Sequence, residues 1–282
     1  MGASSTEIDL SEIVDHTLKL VRGLTLPQAL AQFAMLDRSP TPEVLREEAL
    51  ERANQNPLSR IFTIAIHDDE GTRVAKVPGM MGKPESDEDA IRHSIAQIET
   101  DRRTITVAGA IEPARRIIEA EYPLSVRDFE PVAKMSPFIP PGHAYIYALG
   151  FARLFGGDFI SAVSILIPQL ENSLRHVLRQ AGDDPSPIKH DMTQESRTIS
   201  MMLEKDRNSP ENIFGAAIVY EMDNLFDFRG GPVLRHRVAH GLMRAGAFHS
   251  SDAIYACWFI FRLCCLPLFA HWDKVAEAYG SP

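Results

Sequence analysis

Along most of the chain apolar residues recur three and four positions apart, which places them on one face of an α-helix. Residues 8–56 follow this pattern and predict helices broken at Pro27, Pro40 and Pro42, with "PEVLREEALERA" as a solvated amphipathic segment. One stretch departs from it. "SRIFTIAIHDDEGTRVAKVP" carries β-branched residues on either side of an acidic turn and Gly71, which predicts a small β-hairpin near 60–77. The acids of "HDDE" are read as a solvated turn rather than a metal site.

The helical spacing then resumes. "SDEDAIRHSIAQIETDRR" opens with a capping serine followed by acids that suit a helix N-terminus. "TVAGAIEPARRIIEAEY" continues as helix, and Ser125 with Asp128 three residues on marks another start. The prolines of "SPFIPPG" (136–142) cannot continue a helix, so a domain boundary is expected there, between 1–135 and 136–282. Beyond it come "HAYIYALGFARLF", then "DFISAVSILIPQLENSLRHVLRQAG" with Pro168 inside and Gly182 at its end. "DDPSPIKHD" reads as a loop. "SPENIFGAAIVYEMDNLF" reads as one helix, "DFRGGP" as a turn, and "SSDAIYACWFIFRLCC" as a capped apolar helix. The expected fold class is mainly α: a C-terminal helical bundle behind an N-terminal helical segment with the hairpin.

With 282 residues the chain can bury a sizeable core, and its 45% hydrophobic and 24% charged content is that of a globular protein. A net charge of −9 argues against a general nucleic-acid coat, because phosphate affinity comes mainly from Lys and Arg, although it leaves room for a local cationic site. The cysteines, Cys257, Cys264 and Cys265, are odd in number and sit in one apolar run, so they form no readable disulfide or zinc framework. Reduced, buried cysteines and an N-terminus without signal-peptide character point to a cytoplasmic protein. "AIYACWFIFRLCCLPLFA" has marginal length for a membrane span and a costly central Arg262, so a buried helix is expected instead.

One segment runs against the acidic balance. "VLRHRVAHGLMR" (233–244) holds three arginines and two histidines without a carboxylate. In a helix His236 and His240 share a face, and Arg235 lies about 140° around from His240, within reach of its long side chain. Val233, Leu234, Val238 and Leu242 would form the buried side. Such a pattern can also be a solvated helix face. As a His-x-x-x-His pair it could bind zinc, but the intervening glutamate of a zinc-protease helix is missing, flanking arginines oppose a dication, and a third ligand such as His249 would be needed, so no metal or other cofactor is expected. Upstream, Glu171 and Arg175 stand four apart, either as an intrahelical ion pair or with Glu171 holding Arg235 or His240 in place.

At these residues the sequence resembles the HEPN superfamily (higher eukaryotes and prokaryotes nucleotide-binding), whose signature is an arginine followed a few residues later by a histidine, late in a bundle of four to five helices. The "LIPQLENSLR" helix followed by "LRHRVAHGL" is similar to a bacterial uncharacterised branch, DUF 4209, over roughly 136–270 and more weakly over 58–135. The resemblance implies metal-independent RNA cleavage in a homodimer, with a place in bacterial defence or stress response. Arg235 would be the phosphate clamp, His240 the base or acid, His236 the complementary proton carrier or an orienting group, and Arg237 and Arg244 would steer RNA. His236 stands where that branch usually has asparagine. Leu242 replaces a tyrosine that nucleotidyltransferase antitoxins modify in some HEPN toxins, which disfavours such a partner. A non-catalytic HEPN module that binds RNA, nucleotide or protein is the alternative. RNA is thus the expected partner, with no membrane.

Overall fold

The computed structural model describes residues 8–55, 64–67, 73–77, 87–183, 198–203 and 208–280. Within them the chain is mainly helical. It begins with α1 (Ser11–Val21), α2 (Leu26–Ala34) and α3 (Pro42–Gln55). Two short strands follow, β1 (Ile64–His67) and β2 (Arg73–Val77), paired antiparallel with a register shift between Ile66 and His67. The residues joining them, with most of "HDDE", lie outside the described residues, as does most of "DDPSPIKHD".

α4 (Glu88–Thr106) is capped by Asp87, whose side chain accepts the Ala90 N–H at 3.0 Å. The serine expected in that role falls outside the described residues. α4 runs through a π-helical turn, Val107–Ile111, into α5 (Glu112–Glu121). Pro113 explains the turn, because it has no N–H to offer the carbonyl of Gly109 four residues back. The Thr17 hydroxyl on α1 donates to that carbonyl at 3.3 Å instead. Position 109 must be glycine for this approach, since a Cβ there would lie 2.8 Å from Ile13.

α6 (Val126–Met135) starts at Ser125, where the Asp128 carboxylate accepts from the Ser125 N–H and hydroxyl, each at 2.7 Å. "SPFIPPG" then breaks the helix as its prolines require. Yet Ser136, Phe138 and Ile139 are buried, and the Ser136 hydroxyl donates to the Cys264 carbonyl at 2.7 Å. One hydrophobic cluster extends from Val21 to Val275 on both sides of this segment.

α7 (Ala144–Phe155) and α8 (Phe159–Gln180) form a hairpin turned at Gly156-Gly157. α8 continues through Pro168 and ends before Gly182, whose positive φ of 86° closes the helix as glycine can. After α9 (Ile199–Leu203) the helix expected over 209–226 is in three pieces: α10 (Asn208–Phe214), α11 (Ala216–Met222) and a π turn, Asp223–Asp227. Gly215, at φ 82°, breaks it after the first piece. α12 (Leu234–Ala239), a 3-10 turn (Ala245–His249), α13 (Ser251–Cys265), a second 3-10 turn (Leu266–His271) and α14 (Trp272–Glu277) complete the described chain.

α13 is the central column. Every residue from Ala253 to Cys265 is buried, and it packs against α8, α4, α2 and α7. Two of its side chains reach across to α2: Trp258 Nε1 donates to the Phe33 carbonyl at 2.8 Å, and Arg262 Nη1 to the Ala34 carbonyl at 3.0 Å. By length and composition Ser251–Glu277 could cross a membrane, but 78% of its apolar window is buried inside the protein. Cys257, Cys264 and Cys265 are free thiols within it.

Candidate functional site

α8 provides the rigid support. Asp158 caps its start by accepting the Ser161 N–H at 3.1 Å, and its apolar stripe lies against α7 and α13. Toward its C-terminal half Glu171 is buried, and both oxygens of its carboxylate are used. Oε1 accepts from Arg175 Nη2 on the same helix, and Oε2 accepts from Arg235 Nε on α12 at 2.8 Å. The two roles considered for Glu171 from sequence are thus filled together. The Arg235 guanidinium is thus held on a buried carboxylate, where the attraction between charges is stronger than in water. The Nη groups of Arg235 make no hydrogen bond among the described residues, and its side chain is 31% exposed.

The turn before α12 is tight. A Cβ at Gly231 would lie 2.3 Å from the Asn224 carbonyl, and one at Gly230 would meet Phe228 and His93. Val233 then takes a left-handed conformation, φ 49° and ψ 41°, costly for a β-branched residue. This geometry turns the chain so that α12 packs on α8 and on the 223–227 turn, with Leu234 buried.

α12 is shorter than the sequence pattern indicates. It ends at Ala239 with His240 as its cap, and Gly241 at φ 66° reverses the chain. The Leu242 N–H folds back to the Arg237 carbonyl at 2.8 Å. Leu242, expected on the buried side, is therefore 54% exposed. His236 and His240 keep their one-turn spacing, with ring centroids 4.4 Å apart and planes inclined at 50°. Both are exposed, and neither ring has a hydrogen-bond partner among the described residues. Arg237 is half-buried, and Arg244 is exposed before the 3-10 turn. His249 sets its ring edge against Phe159, centroids 5.6 Å apart. Among the described residues no three His, Cys, Asp or Glu gather as a metal-binding group.

The structure adds polar residues that the sequence did not single out. His143, before α7, is held from two sides by α8: its Nδ1 lies 2.8 Å from Gln169 Oε1, and Asn172 Nδ2 lies 3.4 Å from its Nε2. Asn172 adjoins Glu171 on the half-exposed side of α8, so a polar strip continues from the Arg235 pair toward His143. The only hint in sequence is the polar "EN" inside an apolar helix.

No known protein family, curated protein or solved structure matches this chain. The chemistry of the site rests on its geometry. A guanidinium fixed through Nε, with its Nη edge open to solvent, can take an oxyanion at two points. Two exposed imidazoles on the same helix and its cap are groups that can accept and donate protons.

Proposed function

We propose that the chain is a metal-independent endoribonuclease of the HEPN type, with a C-terminal HEPN-like bundle carrying the reaction. In this reading the base, His240 or His236, takes the proton of a ribose 2′-hydroxyl. The 2′ oxygen attacks the adjacent phosphorus, the bond from phosphorus to the 5′ oxygen breaks, and the other imidazole protonates the leaving 5′-hydroxyl. The products are a 2′,3′-cyclic phosphate and a 5′-hydroxyl end. The Nη edge of Arg235 binds the non-bridging oxygens as charge builds on them. Arg237 and Arg244 attract the RNA strand, which an acidic protein otherwise repels. The shared homodimer site and the defence or stress role come with the HEPN resemblance. The observation that carries the reading is Glu171 holding Arg235 by Nε while the Nη edge stays open.

One observation favours the alternative of a non-catalytic HEPN module for RNA, nucleotide or protein: neither imidazole is oriented by a hydrogen bond within the described chain. Arg235→Ala and Arg235→Lys separate the two readings. Cleavage of a mixed RNA pool should be abolished in the first and remain strongly reduced in the second, because lysine cannot serve Glu171 and a phosphate in one plane. Binding without cleavage by the unaltered protein would support the module.

A further inference from the structure

Away from the Arg235 pair, the C-terminal part of α8 borders a half-open groove of about 630 Å³. Its walls come from four other parts of the fold: Phe138 before α7, Phe214 from α10, Ile218 from α11 and Leu263 from α13. Phe138 and Phe214 meet edge to face, centroids 6.2 Å apart. Ile218 and Val177 of α8 are only half-buried, so apolar surface here is still wet and gains by being covered. The volume falls within the range of small-molecule pockets and is well above that of a single buried water.

The polar side of the groove is confined to α8. His176 and Gln180 are one helical turn apart and both line it. Neither side chain has a hydrogen-bond partner among the described residues, whereas the neighbouring His143 is held by two amides. Arg179, three residues beyond His176 and so its neighbour on the helix surface, is exposed and makes no ion pair among the described residues. An apolar trough with an imidazole and an amide on one wall, and beside them a guanidinium that makes no ion pair among the described residues, suits a molecule with an apolar body and an anionic head. The C-terminal end of a helix disfavours an anion on its own, so Arg179 has to supply the attraction.

We propose that this groove binds a medium-chain carboxylate, with the chain against Val177, Ile218 and Leu263 and the head at His176, Arg179 and Gln180. The site is separate from the Arg235 cluster and does not depend on the ribonuclease reading.

Calorimetric titration of the full chain with decanoate and with decanol, both below their aggregation concentrations, tests this. Decanoate should bind, and decanol about tenfold more weakly, the difference one charge-assisted contact makes. Arg179→Gln should remove the preference while keeping decanol binding. Gln180→Phe, which extends an apolar ring from an exposed position over the groove, should abolish both without altering the circular dichroism spectrum. Equal binding of acid and alcohol, decanoate binding unaffected by Gln180→Phe, or no binding of either compound would each overturn the proposal.

Discussion

Glu171 decides where Arg235 can point. Removing its charge while keeping its shape, as in Glu171→Gln, takes away the carboxylate that holds Arg235 by Nε and frees Arg235 to rotate. If the open Nη edge is the working surface, RNA cleavage should fall by about tenfold or more, the worth of one charge-assisted bond, as measured by initial rates. An unchanged rate would mean that the orientation of Arg235 is irrelevant to the activity. Val233 makes a second residue-scale test. A valine in the left-handed region carries roughly 1–2 kcal/mol of strain, about what the extra backbone freedom of glycine costs. Val233→Gly should therefore leave the midpoint of urea unfolding near that of the unaltered chain or above it. A large loss would show that the Val233 side chain matters more than its backbone strain. Little of this was legible in sequence. The arginine–histidine spacing and the Glu171–Arg175 pair can be read from short-range order; the sequence also offers Glu171 as the group that holds Arg235 or His240, but across 64 residues spacing does not choose between them. The end of α12 at His240 depends on Gly241 taking a positive φ, which a glycine permits but does not require.

At the scale of elements, the helices with clear start signals were the legible ones. Ser125 and Asp128 cap α6 as their spacing indicates, and α13 is the buried apolar helix its composition predicts. What local pattern could not show was interruption. The break at Gly215 needs a positive φ that glycine permits but does not require, and the turn at Val107–Ile111, where Pro113 offers no N–H, is completed by the Thr17 hydroxyl on a helix some 90 residues earlier. The apolar residues of "SPFIPPG" looked like linker because proline ends helices, yet the chain there is packed under α13. α8 supports both the Arg235 cluster and the groove, so its cap has a measurable weight. Asp158→Ala should cost about 1 kcal/mol in urea denaturation, the usual loss of an N-cap. An undetectable change would mean that packing alone defines the start of α8.

Over the whole molecule, helices distant in sequence are joined by a buried ionic layer. Arg102 on α4 reaches Glu99 beside it at 2.8 Å, Glu221 on α11 at 2.6 Å, and Asp37 after α2. Tyr255 of α13 donates to Asp37 at 3.2 Å, and Arg103 reaches Asp252 at 2.5 Å. Partners this far apart in sequence leave no periodic trace, so the layer could not be anticipated. Burial raises the Glu221 carboxyl above its ordinary 4.5, more than Arg102 lowers it. The folded chain therefore keeps a proton that the unfolded chain releases just above pH 4.5, and stability should fall as pH rises through that interval. Glu221→Gln should flatten that slope in melting curves, and an unaltered slope would contradict the assignment.

The proposed reaction is read from the chemistry of the ends that it leaves on the RNA. A mixed RNA pool should be incubated with the unaltered protein and with His240→Ala, both with excess EDTA, and the termini identified. The unaltered protein should leave 2′,3′-cyclic phosphate and 5′-hydroxyl ends, and the variant none. Cleavage that stops with EDTA, or that continues equally in His240→Ala, would contradict it.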